Sequence, residues 1–225
     1  MAKCKYCGRS GFFLSVNQYG LCNNCASAIS IEVNSKLRVI QDSINLVKGS
    51  EKLDTRLSRC DLVIKLASEI ANKYESKGIT VMDPPAKELL KLYKEGRDEI
   101  IKDTLDKEYQ KASAKVEVST TLQTKINPLS KVLFKVQDYK NKTLKPNILD
   151  PLEQKITQEI HKIQVNSFIN EAKKAEFKGN IKKALDKYYE ALYFLKTDKI
   201  DDAKQQETIL AIEMKIKELG GEIPS

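Results

Sequence analysis

The stretch CKYCGRSGFFLSVNQYGLCNNC, residues 4–25, sets the terms on which the rest of the chain is read. Cys4 and Cys7 form one Cys-x-x-Cys pair and Cys22 and Cys25 a second, with fourteen residues between the pairs. Thiols so spaced can make disulfides, a redox dithiol or a cage for a cation. Each pair closes a short chelate, and a hairpin between them brings the pairs together. Four sulfurs at about 2.3 Å then complete a tetrahedron around one Zn2+. A reducing cytosol argues against disulfides, and a pair of metal-free dithiols is the remaining alternative. With four protein ligands no position is open to water, so the role expected of the zinc is structural. Binding in modules of this size contributes on the order of 10–16 kcal/mol. Gly8 permits the tight turn after Cys7, in which backbone N–H groups point at sulfur. Lys3, Lys5 and Arg9 are expected to offset part of the cluster's charge.

Between the pairs, residues 12–16 are apolar and are followed by Asn17-Gln18-Tyr19-Gly20 and Leu21. A short strand, a turn and a second short strand are predicted there. Of the aromatics Phe12, Phe13 and Tyr19, some must cover so small a core, which leaves one or two free to form a partner surface.

After Cys25 the pattern changes. Ile29, Val33, Leu37, Ile40, Ile44 and Val47 recur at helical spacing up to Gly49. That stripe could pair two chains, but packing on the chain's own bundle is the simpler reading. A second helix follows through Leu53, Leu57, Cys60, Ile64 and Ala67 toward Tyr74, with Gly78 as its stop. Asp83-Pro84-Pro85 breaks the chain before a helix over residues 86–112, and Pro85 suits the first turn of that helix. Residues 113–127 fit a strand through Val116, Val118, Leu122 and Ile126, or a helix, and helix is the expectation. Further helices are predicted around 129–143, 150–178, 180–196 and 201–219. Cys60 lies on an apolar stripe and reads as a buried core thiol.

The chain of 225 residues is 31% charged and 41% apolar, with 9 Gly and no Trp, which fits long amphipathic helices better than a sheet-rich core. It contains no apolar run of about 20 residues and no leader-like stretch, so a cytoplasmic protein without membrane attachment is expected. The net charge of +8 is uneven: six cations face two carboxylates in residues 1–50, and nine face five in 113–165, while the other segments balance. Four thiolates around one divalent cation would lower the total to +6. Lys125, Lys131, Lys135, Lys140, Lys142 and Lys145 face only Asp138 within residues 125–146, with Phe134 and Tyr139 interleaved.

Residues 3–35 resemble the treble-clef and zinc-ribbon modules. Cys4-Lys5-Tyr6-Cys7-Gly8, a hairpin, and Cys22-Asn23-Asn24-Cys25 entering a helix carry the likeness, and the second pair at a helix start favours the treble clef. A rubredoxin-like iron site lacks its second Cys-x-x-Cys-Gly turn. Residues 168–195 resemble a single tetratricopeptide repeat through Ala172, Gly179-Asn180, Ala184, Tyr188, Ala191 and Leu192. The unit departs from that family at Ala175, where an aromatic is common, and at Lys196, where a proline is common. An ordinary helical hairpin is the plain alternative. One repeat buries no core alone, so residues 201–219 are expected to cap it through Ile209, Ile212, Ile216 and Leu219.

The fold class expected is therefore mainly α: a zinc-bound hairpin module (1–28), a body of long helices (29–165) forming an elongated bundle, and a tetratricopeptide-like hairpin with a capping helix (166–225). His161 is the one histidine and lies in a mixed helix, as a surface or half-buried residue rather than a base. No phosphate loop or activated nucleophile is present. The expected function is a non-enzymatic adaptor for a protein partner. Nucleic-acid binding through the lysines of 125–146 is the alternative, although lysines alone read no base edges. Redox sensing through zinc release is open to any such cluster and has no further support in the residues.

Overall fold

The structure is a computed structural model that describes residues 2–198 and 205–223. It is helical apart from a small antiparallel ladder, in which β1 (Ala2–Lys3) pairs with β2 (Ser10–Gly11). The described residues form seven α-helices: α1 (Asn23–Gly49), α2 (Leu53–Lys73), α3 (Ala86–Val118), α4 (Leu122–Lys140), α5 (Asp150–Phe177), α6 (Ile181–Thr197) and α7 (Gln206–Glu218). Residues 201–204 of the last expected helix lie outside the described residues. The chain divides into two compact units, Met1–Leu105 with Tyr139–Ile148, and Asp106–Asp138 with Leu149–Ser225.

In the first unit α1 and α2 pack antiparallel, as two ion pairs of equal register show: Lys36 to Glu69 at 2.8 Å and Lys73 to Glu32 at 2.6 Å. Ile29, Val33, Ile40 and Val47 are buried as the periodicity requires, with Leu37 and Ile44 half-buried beside them. The stripe also includes Ser43, which a hydrophobicity pattern skips. On α2 the buried face is Leu57, Cys60, Val63, Ala67, Ile70 and Ala71, so Val63 takes the place expected of Ile64. Gly78, at φ 68°, ends the 3-10 turn Glu75–Lys77, and Ile79 is buried just beyond it. Glu75 then accepts the N–H groups of Ala86 and Lys87 and so caps α3, which Pro85 precedes. Cys4, Leu21 and Cys22 share one core with Ile29, Val33, Ile70, Tyr74 and Ile79. The small module is thus built into the first unit.

Residues 113–127 are helical except at 119–121, which separate α3 from α4. Helix α4 starts earlier than expected and contains Pro128. Proline has no N–H to offer the carbonyl four residues back, so the Thr124 carbonyl lacks that helical donor, while the Ser119 hydroxyl near it donates to the Lys115 carbonyl at 2.7 Å.

In the second unit α5 ends where Asn180 N–H reaches the Ala175 carbonyl (2.9 Å) and Gly179 N–H the Glu176 carbonyl (2.9 Å). That pattern needs a left-handed residue at the turn, and Gly179 supplies it at φ 71°. Asn180 Oδ1 then accepts from Lys183 N–H and opens α6. Ala172, Tyr188, Ala191 and Leu192 form one core with Ile209, Ile212 and Ile216 of α7, and Leu219 packs at its edge. Ala175 and Ala184 are buried as well.

Candidate metal centre

The turn after Cys4 closes through Gly8 N–H to the Cys4 carbonyl at 2.9 Å, with Gly8 at φ 74°. Such a backbone is open to glycine at little cost. Around the second pair, Asn17 Oδ1 accepts from Tyr19 and Leu21 N–H at 3.0 and 3.1 Å. A single bridge between Val16 and Cys22 brackets that turn. This corrects the expected strand over residues 12–16: residues 12 and 13 turn away, and the regular ladder instead flanks the first cysteine pair. Cys22 is the N-cap of α1, which places Cys25 in the first helical turn.

All five cysteines are free thiols. The Sγ atoms of Cys4, Cys7, Cys22 and Cys25 lie within 4.8 Å of one another, and Cys7 and Cys22 are 4.0 Å apart. A tetrahedron with metal–sulfur bonds of 2.3 Å has edges of about 3.8 Å, so the donor set fits one metal ion. A disulfide, at about 2.05 Å, does not describe it. Among the described residues this is the one group of His, Cys, Asp or Glu side chains placed to hold a metal.

The electrostatics point the same way. Cys22 N–H donates to Cys4 Sγ at 3.4 Å. That hydrogen bond, then one from the Cys7 backbone, lowers the Cys4 pKa to about 6. Hydrogen bonding with Cys22 sulfur, reinforced by burial, raises Cys25 to about 12. Hydrogen bonding thus favours the thiolate at Cys4 and the thiol at Cys25, with repulsion from the neighbouring sulfur adding least to the second effect. A bound divalent cation would hold its cysteine ligands as thiolates.

Lys5 lies near the end of α2. Its ammonium donates to the Gly78 carbonyl at 3.2 Å, while Lys3 and Arg9 are exposed. The residue that sequence reasoning missed is Tyr6. Its ring lies 5.8 Å from that of Tyr74, under the Lys77 ammonium at 4.6 Å, and joins the module to the end of α2. Its position inside the first Cys-x-x-Cys pair was the available signal.

The hairpin aromatics also depart from expectation. Phe12 is 85% exposed, Phe13 100% and Tyr19 47%, so none of the three closes the core. Leu21, Tyr6 and Leu14 do that work. Of the lysines of 125–146, Lys125, Lys131, Lys135 and Lys140 lie along α4, and Lys142 and Lys145 follow its end. Lys135 is paired with Glu108 at 2.7 Å, and the Lys142 ammonium lies 4.7 Å from the centre of the Tyr139 ring.

Cys60 is fully buried, and desolvation pushes its thiol up to about 11, as suits an inert core thiol. His161 is half-buried, pairs through Nε2 with Asp198 and stacks on Phe194 at 5.0 Å. No described helix is long and apolar enough to cross a membrane.

Fold and site together define a mainly α-helical protein with an N-terminal four-cysteine centre able to hold a metal ion. Comparison with protein-family models, with curated proteins and with solved structures gave no match.

Proposed function

We propose that the chain is a non-enzymatic adaptor whose first residues, folded around one structural zinc, display an aromatic surface to a protein partner. The observation that carries this is the exposure of Phe12 (85%) and Phe13 (100%), adjacent rings 6.4 Å apart on a module whose core is closed without them. Soluble domains hide large apolar side chains where they can, and a contiguous exposed pair marks an interaction site. Aromatics are also enriched where interfaces concentrate their binding energy.

Zinc is the metal this donor set favours, because four thiolates in a tetrahedron suit a borderline-soft cation with no geometric preference of its own. The second cysteine pair at the start of α1 supports the treble-clef reading. The core that Ala172 of α5 shares with Tyr188 and Ala191 of α6, with Ala184 buried as well, supports the tetratricopeptide-like reading, in which small residues let helices approach. Nucleic-acid binding draws less support, since Lys135 is paired with Glu108 and the Lys142 ammonium lies against the Tyr139 ring.

The test is capture from the native host by the zinc-loaded chain and by the Phe12→Ala/Phe13→Ala variant, each with and without nuclease. Proteins retained after nuclease on the parent chain, and lost on a variant that still holds one zinc, are the expected result. Retention that nuclease abolishes, or that ignores both substitutions, would overturn the reading.

A further inference from the structure

Beside the aromatic pair, the first unit carries a separate groove of about 320 Å3 between the turn at 17–21, α1 and residues 80–81. Its floor is Leu21, Ile29 and Val33, each at most 4% exposed. None of its lining residues is charged, in a chain of which 31% is charged. A charged occupant would lose its hydration there and gain no counter-ion, so the occupant is uncharged.

The walls specify more. The main-chain N–H and C=O groups of Thr80 and Val81 make no hydrogen bond among the described residues. Asn17 spends its Oδ1 on its own turn and keeps its side-chain NH2 free. Asn34 donates its Nδ2 to Ser30 Oγ at 3.3 Å, which leaves its Oδ1 as a free acceptor. Both asparagines line the groove. Free donors and acceptors among the lining residues match a ligand whose own main chain is unpaired. A helix has already spent those groups internally, and at about 10–12 Å across it does not enter a cleft at the lower end of the ~300–1,000 Å3 range of ligand sites. The segment that carries Thr80 and Val81 is held in advance, by buried Ile79 with its N–H on the Tyr74 carbonyl (3.2 Å) and by the Glu75 cap beyond it. A wall ordered before binding reduces the entropy lost on association.

We propose that this groove binds an extended, uncharged peptide segment, its apolar side chains over Leu21, Ile29 and Val33 and its main chain hydrogen-bonded to Thr80, Val81, Asn17 and Asn34. Recognition by main-chain pairing with pockets for alternate side chains gives this kind of binding both affinity and selectivity. Because it uses a different surface from Phe12 and Phe13, loss of one mode leaves the other intact.

Random linear heptapeptides displayed on phage and panned on the zinc-loaded full chain supply the probe. The enriched peptides, made synthetically, are then measured by fluorescence polarisation. Enrichment of apolar residues at alternate positions with few charges is expected. Affinity should fall at least about tenfold for the groove-filling Ser30→Trp variant, and by a similar factor when alternate peptide amides are N-methylated. Ile31→Ser, which removes an exposed apolar side chain next in sequence, should bind as the parent does. If Ser30→Trp loses its metal, Asn34→Trp carries the comparison. No enrichment, charge-rich sequences, indifference to both groove-filling variants, or equal binding of N-methylated peptides would overturn the proposal.

Discussion

Glu32 shows how much one side chain on α1 is asked to hold. Its carboxylate accepts from Lys73 at 2.6 Å and Tyr74 at 2.8 Å, with Lys36 at 3.4 Å. Lys73 first and Tyr74 second hold its pKa down, from 4.5 to about 2. A group depressed on folding contributes stability that is present above the unfolded pKa and lost as pH falls through the folded one. The side chain is 35% exposed, so solvent screening reduces the benefit to about 1 kcal/mol. Glu32→Gln should therefore lower the urea midpoint at pH 7, and the gap from the parent should close between pH 4.5 and about 2. A gap that stays constant over that window would show that charge is not what matters. Ser43 is the opposite case: it is fully buried on α1, and its Oγ has no hydrogen-bond partner. Removing an unsatisfied hydroxyl while keeping a good helix former should stabilise the protein, by about 1 kcal/mol. Ser43→Ala is expected to raise the urea midpoint, and a lower midpoint would mean that the hydroxyl is served by a bound water.

At the level of elements, the ends of helices were harder to foresee than their faces. Apolar residues three and four apart reveal a buried stripe from local sequence alone, and so Ile29 to Val47 and Ile209 to Ile216 were legible. Caps made by distant residues leave no such mark. Glu75 caps α3 from 11 residues away, and buried Asp98 accepts the N–H groups of Leu144 and Lys145 at 3.0 and 2.8 Å from 46 and 47 residues away. Asp98→Ala would leave those two donors without their acceptor, at a cost of about 2 kcal/mol. Faster hydrogen exchange at both amides, with α1 and α2 protected as before, is the expected signature. Unchanged exchange would assign the anchoring of residues 144 and 145 to something else. The metal site was legible for a related reason: cysteine spacing is a local code for a chelate. The fate of Phe12 and Phe13 was not, because a small core needs only a few covering side chains and the chain offered more candidates than places. Tyr6, Leu14 and Leu21 filled them. A ladder of two residue pairs is likewise below what a period-two pattern can announce.

On the scale of the molecule, the division into two units decides what loss of the proposed zinc should do. A module of some two dozen residues has too little core to fold unaided, and metal binding is then folding free energy. Here, however, Cys4, Leu21 and Cys22 belong to the same core as Ile29, Val33 and Tyr74, so the damage should not stop at the module. Chelation under reducing conditions should collapse the amide resonances of residues 4–25. It should also loosen the start of α1, where Ile29 and Val33 lose their cover, and the Tyr6–Tyr74 contact at the end of α2. The far end of α1 should stay protected, since Ile40 and Val47 are buried further along the helix from the cysteines. Resonances of α6 and α7 should not move at all, because their core of Tyr188, Leu192, Ile212 and Ile216 contains no residue of the first unit. Re-addition of one equivalent of zinc should restore the first set and leave the second untouched. Collapse of both units together would show that the helical body depends on the metal throughout. An unaltered spectrum over residues 4–25, with four titratable thiols, would mean that the cysteines are close for some reason other than a shared cation.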